Sequence, residues 1–283
     1  MTRGESGVVP DAYLMLLPLG FLTGAYGTLI GAGGGFLLVP ALLMLYPAES
    51  PGALTSISLA AVFFNAFSGA VAYGHMRRID FNSGLWFALA GMPGAVLGTI
   101  VSGRVPRELF NGVFGGVLIA LAAFLTYKPR GGEHPHPEHH RGDIHRHLVE
   151  AGGREDDYDF NLPLAMSASG VIGFVSSALG IGGGVIQVPV LVRGFGFPPH
   201  IATATSQFVL AALSFVAVLS HMQQGAYVDG PWFRRTLCLS MGVLLGAQLG
   251  AWLSQRVKTA HVLRLLSIAL VGVGLRLLSR ALA

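Results

Sequence analysis

Charge is scarce in this chain: Asp, Glu, Lys and Arg make up 11% of its 283 residues, against about a quarter in a soluble domain. With 52% hydrophobic residues and a mean hydropathy of +0.61, too few polar side chains remain to cover an aqueous surface, so the apolar excess must face lipid. Cysteine is scarcer still. The one cysteine, Cys238, excludes an intrachain disulfide and a cysteine-built metal site; it lies inside an apolar run and reads as packing. A basic stripe is missing too: Lys and Arg exceed Asp and Glu by only 18 to 14 and are scattered through loops, which argues against a nucleic-acid partner. Met1 to Asp11 lack the cationic region, apolar stretch and small-residue cleavage site of a removable signal peptide, so the first apolar run is expected to remain as a span.

The most informative absence is acid within the apolar runs. Every Asp and Glu falls at a terminus, in a loop or in a central polar segment: Glu5, Asp11, Glu49, Asp80, Glu108 and Asp229, with the rest between Glu133 and Asp159. Cation carriers and proton pumps usually keep carboxylates on the path, so their absence argues against both. Backbone N–H groups, hydroxyls and helix N-termini remain, and these suit anions.

What the sequence has is long apolar runs, at about 12–30, 54–74, 84–102 and 109–127, then 162–179, 201–220, 232–253 and 261–278. Each is near the roughly 20 residues of a membrane helix. Two shorter pieces, Phe36–Tyr46 and Val185–Val192, each follow a glycine cluster and read as broken or re-entrant segments. The expected class is therefore an all-α polytopic membrane protein, with about four long spans and one Gly-broken segment in each half.

The halves repeat. Gly31-Ala32-Gly33-Gly34-Gly35, with Pro40 five residues on, matches Gly180-Ile181-Gly182-Gly183-Gly184 with Pro189; then Pro51 matches Pro199, Thr55 Thr203, Ser58 Ser206, and Gly94 and Gly98 Gly242 and Gly246. The expected division is a first transmembrane repeat over 1–127, a polar His-rich linker over 128–160 with nothing to build a core, and a second repeat over 161–283. Four crossings per half would make the repeats parallel and three or five would invert them; the sequence leaves both open. With one crossing per long run, Arg77, Arg78, Arg234, Arg235 and most other basic residues fall on the linker side, and the linker side keeps the majority if the short pieces also cross, so the linker is expected in the cytoplasm.

Paired interruptions of apolar segments point to a transporter's binding site. Glycines release the backbone from helical geometry, and the helix restarting at Phe36 or Val185 offers its positive N-terminal end to an anion. The alternative, that the glycines only allow close packing, is the better account of Gly94/Gly98 and Gly242/Gly246/Gly250. The three-residue spacing of Thr55/Ser58 and Thr203/Ser206 puts each hydroxyl pair on one helix face, where it can serve an oxyanion or bond back to its own helix. Asn65, Gln207 and Gln187 add amides within the spans. The candidate substrate-binding residues are thus Gly31, Gly33, Gly34, Gly35, Thr55, Ser58, Asn65, Gly180, Gly182, Gly183, Gly184, Gln187, Thr203, Ser206 and Gln207. His75 and His221 end corresponding helices and read as interfacial residues, with a pH-sensing or anion-holding role as the alternative.

No catalytic constellation is visible: the glycine clusters follow no strand and lack the lysine or ribose-binding acid of nucleotide motifs, so no enzyme and no cofactor is expected. His134, His136, His139 and His140 in the linker form a weak transition-metal candidate, a solvated tract being the plainer reading, so no metal site is assigned. Expected partners are a small anion and the lipid bilayer; a homo-oligomer stays open.

GAGGGFLLVPALL (31–43) and GIGGGVIQVPVLV (180–192), each followed by a Thr/Ser-bearing helix, resemble the duplicated signature of the TauE/SafE sulfite-exporter family over nearly the whole chain. The resemblance implies a permease of the bacterial cytoplasmic membrane for sulfite, thiosulfate, organosulfonates or related small oxyanions and carboxylates. The long His-rich linker departs from the short central loop of such a protein. Two other readings follow: a transition-metal permease whose linker collects metal, and a membrane binding or signalling subunit without transport.

Overall fold

The computed structural model describes residues 11–126, 143–227, 230–256 and 259–282. The first half runs α1 (Asp11–Leu29), α2 (Gly35–Leu45), α3 (Pro51–His75), α4 (Phe81–Ser102) and α5 (Arg107–Thr126). An antiparallel hairpin follows, β1 (Asp143–Val149) and β2 (Glu155–Asn161). The second half is α6 (Leu162–Leu179), α7 (Gly184–Gly194), α8 (Pro199–Gln223), α9 (Gly230–Ser254) and α10 (Thr259–Leu282). Among the described residues, α3, α4, α6, α8 and most of α9 are long and apolar enough to cross a membrane. The chain is an all-α polytopic membrane protein in its spans.

Local chemistry starts these helices where the apolar runs begin. Ser50 caps α3 by accepting from the Ala53 N–H at 3.2 Å, with Pro51 in the first turn, and Asn161 caps α6 through the Leu164 N–H at 3.0 Å. Small residues then let helices approach. A Cβ placed on Gly242, Gly246 or Gly250 of α9 would lie 2.2, 2.1 or 2.2 Å from the carbonyls of Leu17, Phe21 and Ala25 on α1. Gly94 and Gly98 of α4 meet the carbonyls of Gly170 and Phe174 on α6 in the same way, so these glycines are packing glycines, as their spacing suggested. The half-buried Cys238 packs against the apolar core.

Pairing is reciprocal: α1 lies on α9 and α4 on α6, while α5 meets α10 and α3 meets α8. The directions settle the open parity. Beyond the end of α3, Arg78 pairs with Glu150 of the hairpin turn at 3.0 Å, and Glu150 also stands 2.9 Å from His200 at the start of α8. Beyond the end of α8, Tyr227 donates to the Ser56 carbonyl near the start of α3 at 2.6 Å. Corresponding helices α3 and α8 are therefore antiparallel, and the two halves are inverted. Each contributes five helices because α2 and α7 turn back at the glycines. That return places Arg235 beside Glu49 (3.5 Å), on the face opposite the hairpin, rather than on the linker side where one crossing per long run put Arg234 and Arg235.

The polar segment between the halves was expected to hold no core. Its first part, with His134, His136, His139 and His140, lies outside the described residues, but 143–161 is the hairpin. Tyr158 and Phe160 of β2 share a face and are buried against Phe87 and Phe197, with Tyr158 and Phe197 rings 4.6 Å apart and Phe160 and Phe197 rings 4.8 Å apart. The buried Asp80 locks this contact. It caps α4 through the Ser83 N–H at 3.0 Å, takes a very short bond from the Ser83 hydroxyl, and accepts from the Tyr158 hydroxyl at 2.9 Å. Burial, then the Asp80 charge, raises the Tyr158 phenol far above its ordinary range, so it stays a donor.

Candidate functional site at the glycine crossing

Both glycine clusters break their helices because their backbone takes left-handed conformations that other residues adopt only under strain: φ is +75°, +73° and +77° at Gly31, Gly33 and Gly34, and +70°, +81° and +86° at Gly180, Gly182 and Gly183. The loops meet at mid-helix. Gly33 abuts Leu210 and Val62, and Gly182 abuts the same pair; each is the twelfth residue of a 25-residue helix, α8 and α3. That is roughly 18 Å from either end at 1.5 Å per residue. There is no room for a side chain between the loops. A Cβ on Gly35 would lie 2.7 Å from the Ile181 carbonyl oxygen, and one on Gly184 2.2 Å from that of Gly31.

From this crossing α2 runs to one face and α7 to the other, so two buried helix N-termini point at the middle of the molecule from opposite sides. Their caps are Gly34 and Gly183, which have no side chain to accept from the first-turn N–H groups. Among the described residues the N–H groups of Gly35, Phe36, Gly184 and Val185 have no partner. Each terminus carries a partial positive charge.

The hydroxyl residues brace the loops in this conformation. Ser58 donates to the Gly180 carbonyl at 2.8 Å, and Ser206 to that of Gly31 at 3.3 Å, each from one half to the other. Thr55 bonds back to the Gly52 carbonyl at 2.9 Å and sets its methyl under Gly180; Thr203 sets its methyl under Gly31. Asn65 accepts from Thr28 at 3.1 Å and Gln207 donates to the Gly27 carbonyl at 3.4 Å, so both lie beside the first loop. Several buried polar groups remain without partners: Asn65 Nδ2, Gln207 Oε1, both amide atoms of Gln187, and the Ser176 hydroxyl. The last lies where a Cβ of Gly183 would come within 2.9 Å. The structure thus gathers the candidate residues around the crossing of α3, α8 and the two loops. Thr28, Tyr73 (which donates to the Thr28 carbonyl at 3.0 Å) and Ser176 join them unforeseen. Their one signal was position, since Thr28 and Ser176 sit three and four residues ahead of the glycine clusters.

Among the described residues the buried carboxylates are Asp80 and Glu150, both at the hairpin face and away from the crossing. Of the two histidines read as interfacial, His75 is exposed, whereas His221 is 3% exposed with Nε2 unpartnered.

An inverted, duplicated membrane bundle whose broken helices converge at mid-span defines the class as a membrane transporter, and the comparisons agree. The model of the sulfite exporter TauE/SafE family matches residues 16–277, and the chain belongs to that family. It is 31% identical over 275 residues to the probable membrane transporter protein YunE of Bacillus subtilis, covering 94% of this chain and 97% of the relative. Probable membrane transporter proteins of Methanocaldococcus jannaschii and Xylella fastidiosa are each 25% identical, over 94% and 96% of this chain and 97% of each relative. No solved structure matches.

Proposed function

We propose that the chain is a secondary transporter, working as an exporter, of sulfite, an organosulfonate or a related small anion across the bacterial cytoplasmic membrane. The observation that carries this reading is the pair of uncapped, buried helix N-termini facing the same mid-span point, beside unpartnered polar groups and without a carboxylate. An oxyanion supplies the acceptors that these N–H groups lack. The candidate glycines, Thr55, Ser58, Asn65, Gln187, Thr203, Ser206 and Gln207 form its site, the hydroxyls exchanging glycine carbonyls for substrate as the halves, 1–127 and 161–283, rock about the crossing. Counted along the chain with α2 and α7 returning, the linker face still carries most of the Lys and Arg, which supports a cytoplasmic linker.

In proteoliposomes the purified protein is expected to pass sulfite or an organosulfonate without ATP. Gly34→Leu and Gly183→Leu, each forcing a side chain onto a left-handed backbone beside Thr23 or Ser176, are expected to abolish that flux. Full flux in both variants overturns the site; flux of a divalent metal that vanishes on changing His134, His136, His139 and His140 to Ser, with no anion flux, favours the metal-permease reading instead.

A further inference from the structure

The hairpin face holds a second polar centre that anion transport does not use. Glu150 follows β1, Asp156 lies on β2 across the turn, and His200 is the second residue of α8. One ligand atom from each lies within 4.8 Å of the others. His200 Nε2 stands 2.9 Å from both Glu150 Oε1 and Asp156 Oδ2. An imidazole nitrogen offers one proton or one lone pair, so it cannot serve both carboxylates. The bond is made to Asp156, and Glu150 Oε1 is left without a hydrogen-bond partner on a side chain only 6% exposed. A buried carboxylate oxygen in that condition is costly unless a cation takes it.

Two arginines adjoin the cluster, and neither closes it. Arg78 holds Glu150 by its other oxygen, Oε2, at 3.0 Å, the place of an outer-shell partner that orients a ligating carboxylate. Arg154 contacts Asp156 Oδ2 at 3.1 Å and Oδ1 at 3.3 Å, but its side chain is 61% exposed and can leave Oδ2 while keeping Oδ1. One imidazole with two carboxylates suits a first-row transition ion, whereas Mg²⁺ and Ca²⁺ take oxygen ligands throughout. We propose that Glu150, Asp156 and His200 form a binding site for a divalent transition-metal ion, which clamps the hairpin onto the start of α8 and, through Arg78, onto the end of α3.

The test uses the full chain in detergent with Zn²⁺ as probe, and with His134, His136, His139, His140, His145 and His147 all changed to Ser so that the His-rich tract is silent. This protein is expected to bind one Zn²⁺ in chelator competition and to gain thermal stability with Zn²⁺ but not with Mg²⁺. His200→Gln and Asp156→Asn, each added to it, are expected to weaken binding by at least about ten-fold, the lower end of what even loss of an outer-shell partner costs. X-ray absorption of the loaded, six-serine protein is expected to show mixed nitrogen and oxygen ligation, a readout that stands even where a variant fails to fold. Loss of all Zn²⁺ binding on silencing the tract, or unchanged affinity in His200→Gln and Asp156→Asn, overturns the site.

Discussion

Ser58 and Ser206 occupy matched positions, yet the structure gives them unequal bonds: 2.8 Å to the Gly180 carbonyl against 3.3 Å to the Gly31 carbonyl. Removing either hydroxyl strands a buried carbonyl, at a cost of about 1–3 kcal/mol. The shorter bond has more to lose, so Ser58→Ala is expected to lower the melting temperature of the purified protein more than Ser206→Ala. Equal shifts would mean that the two loops are braced by something other than these bonds. At this scale the glycines were legible in the sequence, because positive φ at buried positions leaves few other residues. The partners of the hydroxyls were not. Spacing puts Thr55 and Ser58 on one face but cannot say that the threonine turns its methyl, and the serine its proton, to a loop 122 residues away in the chain.

Among the elements the hairpin was the least legible. Its strands, DIHRHLV and EDDYDFN, are dominated by charge, and only the alternation of Ile144, Arg146 and Leu148 with Tyr158 and Phe160 marks an inward face. That face becomes a core only because Phe87 and Phe197, far apart in sequence, come together beneath it. On the outward face His147 bonds Asp157 at 2.7 Å, and that bond, aided by the carboxylate charge, raises the histidine pKa above its ordinary 6.5. Since the folded pKa is the higher one, the stabilisation is fully present below pH 6.5 and is lost as pH rises through the raised value. Hydrogen exchange of the hairpin amides, corrected for intrinsic rates, is therefore expected to show protection falling over that window. Asp157→Asn should flatten the profile; an unchanged slope in that variant would assign the pH dependence elsewhere.

For the whole molecule, the sequence carried the duplication and the apolar runs, but not the inversion. Orientation depends on whether an 11-residue helix crosses or returns, and α2 and α7 have the composition for either. Contacts decide it, through Arg78 and Glu150 at one end and Tyr227 and Ser56 at the other. In a Cys238→Ser background, Glu49→Cys and Ala226→Cys are expected to react with an impermeant thiol reagent from one side of the membrane, and Gly152→Cys only from the other. Labelling of all three from a single side would rule out the inverted arrangement.

The opposed short helices also have an electrical consequence. Because α2 and α7 approach the crossing from opposite faces, their dipoles along the membrane normal cancel, and moving both together displaces little net charge. On the proposed function, an anion held at the crossing would sit midway through the membrane potential, so each unit of its charge would feel about half of the roughly 2.3 kcal/mol per 100 mV from either side. On that reading the voltage dependence of its passage is set by the charge of the cargo, and the electrical work of entering the site from the two faces is equal in size and opposite in sign.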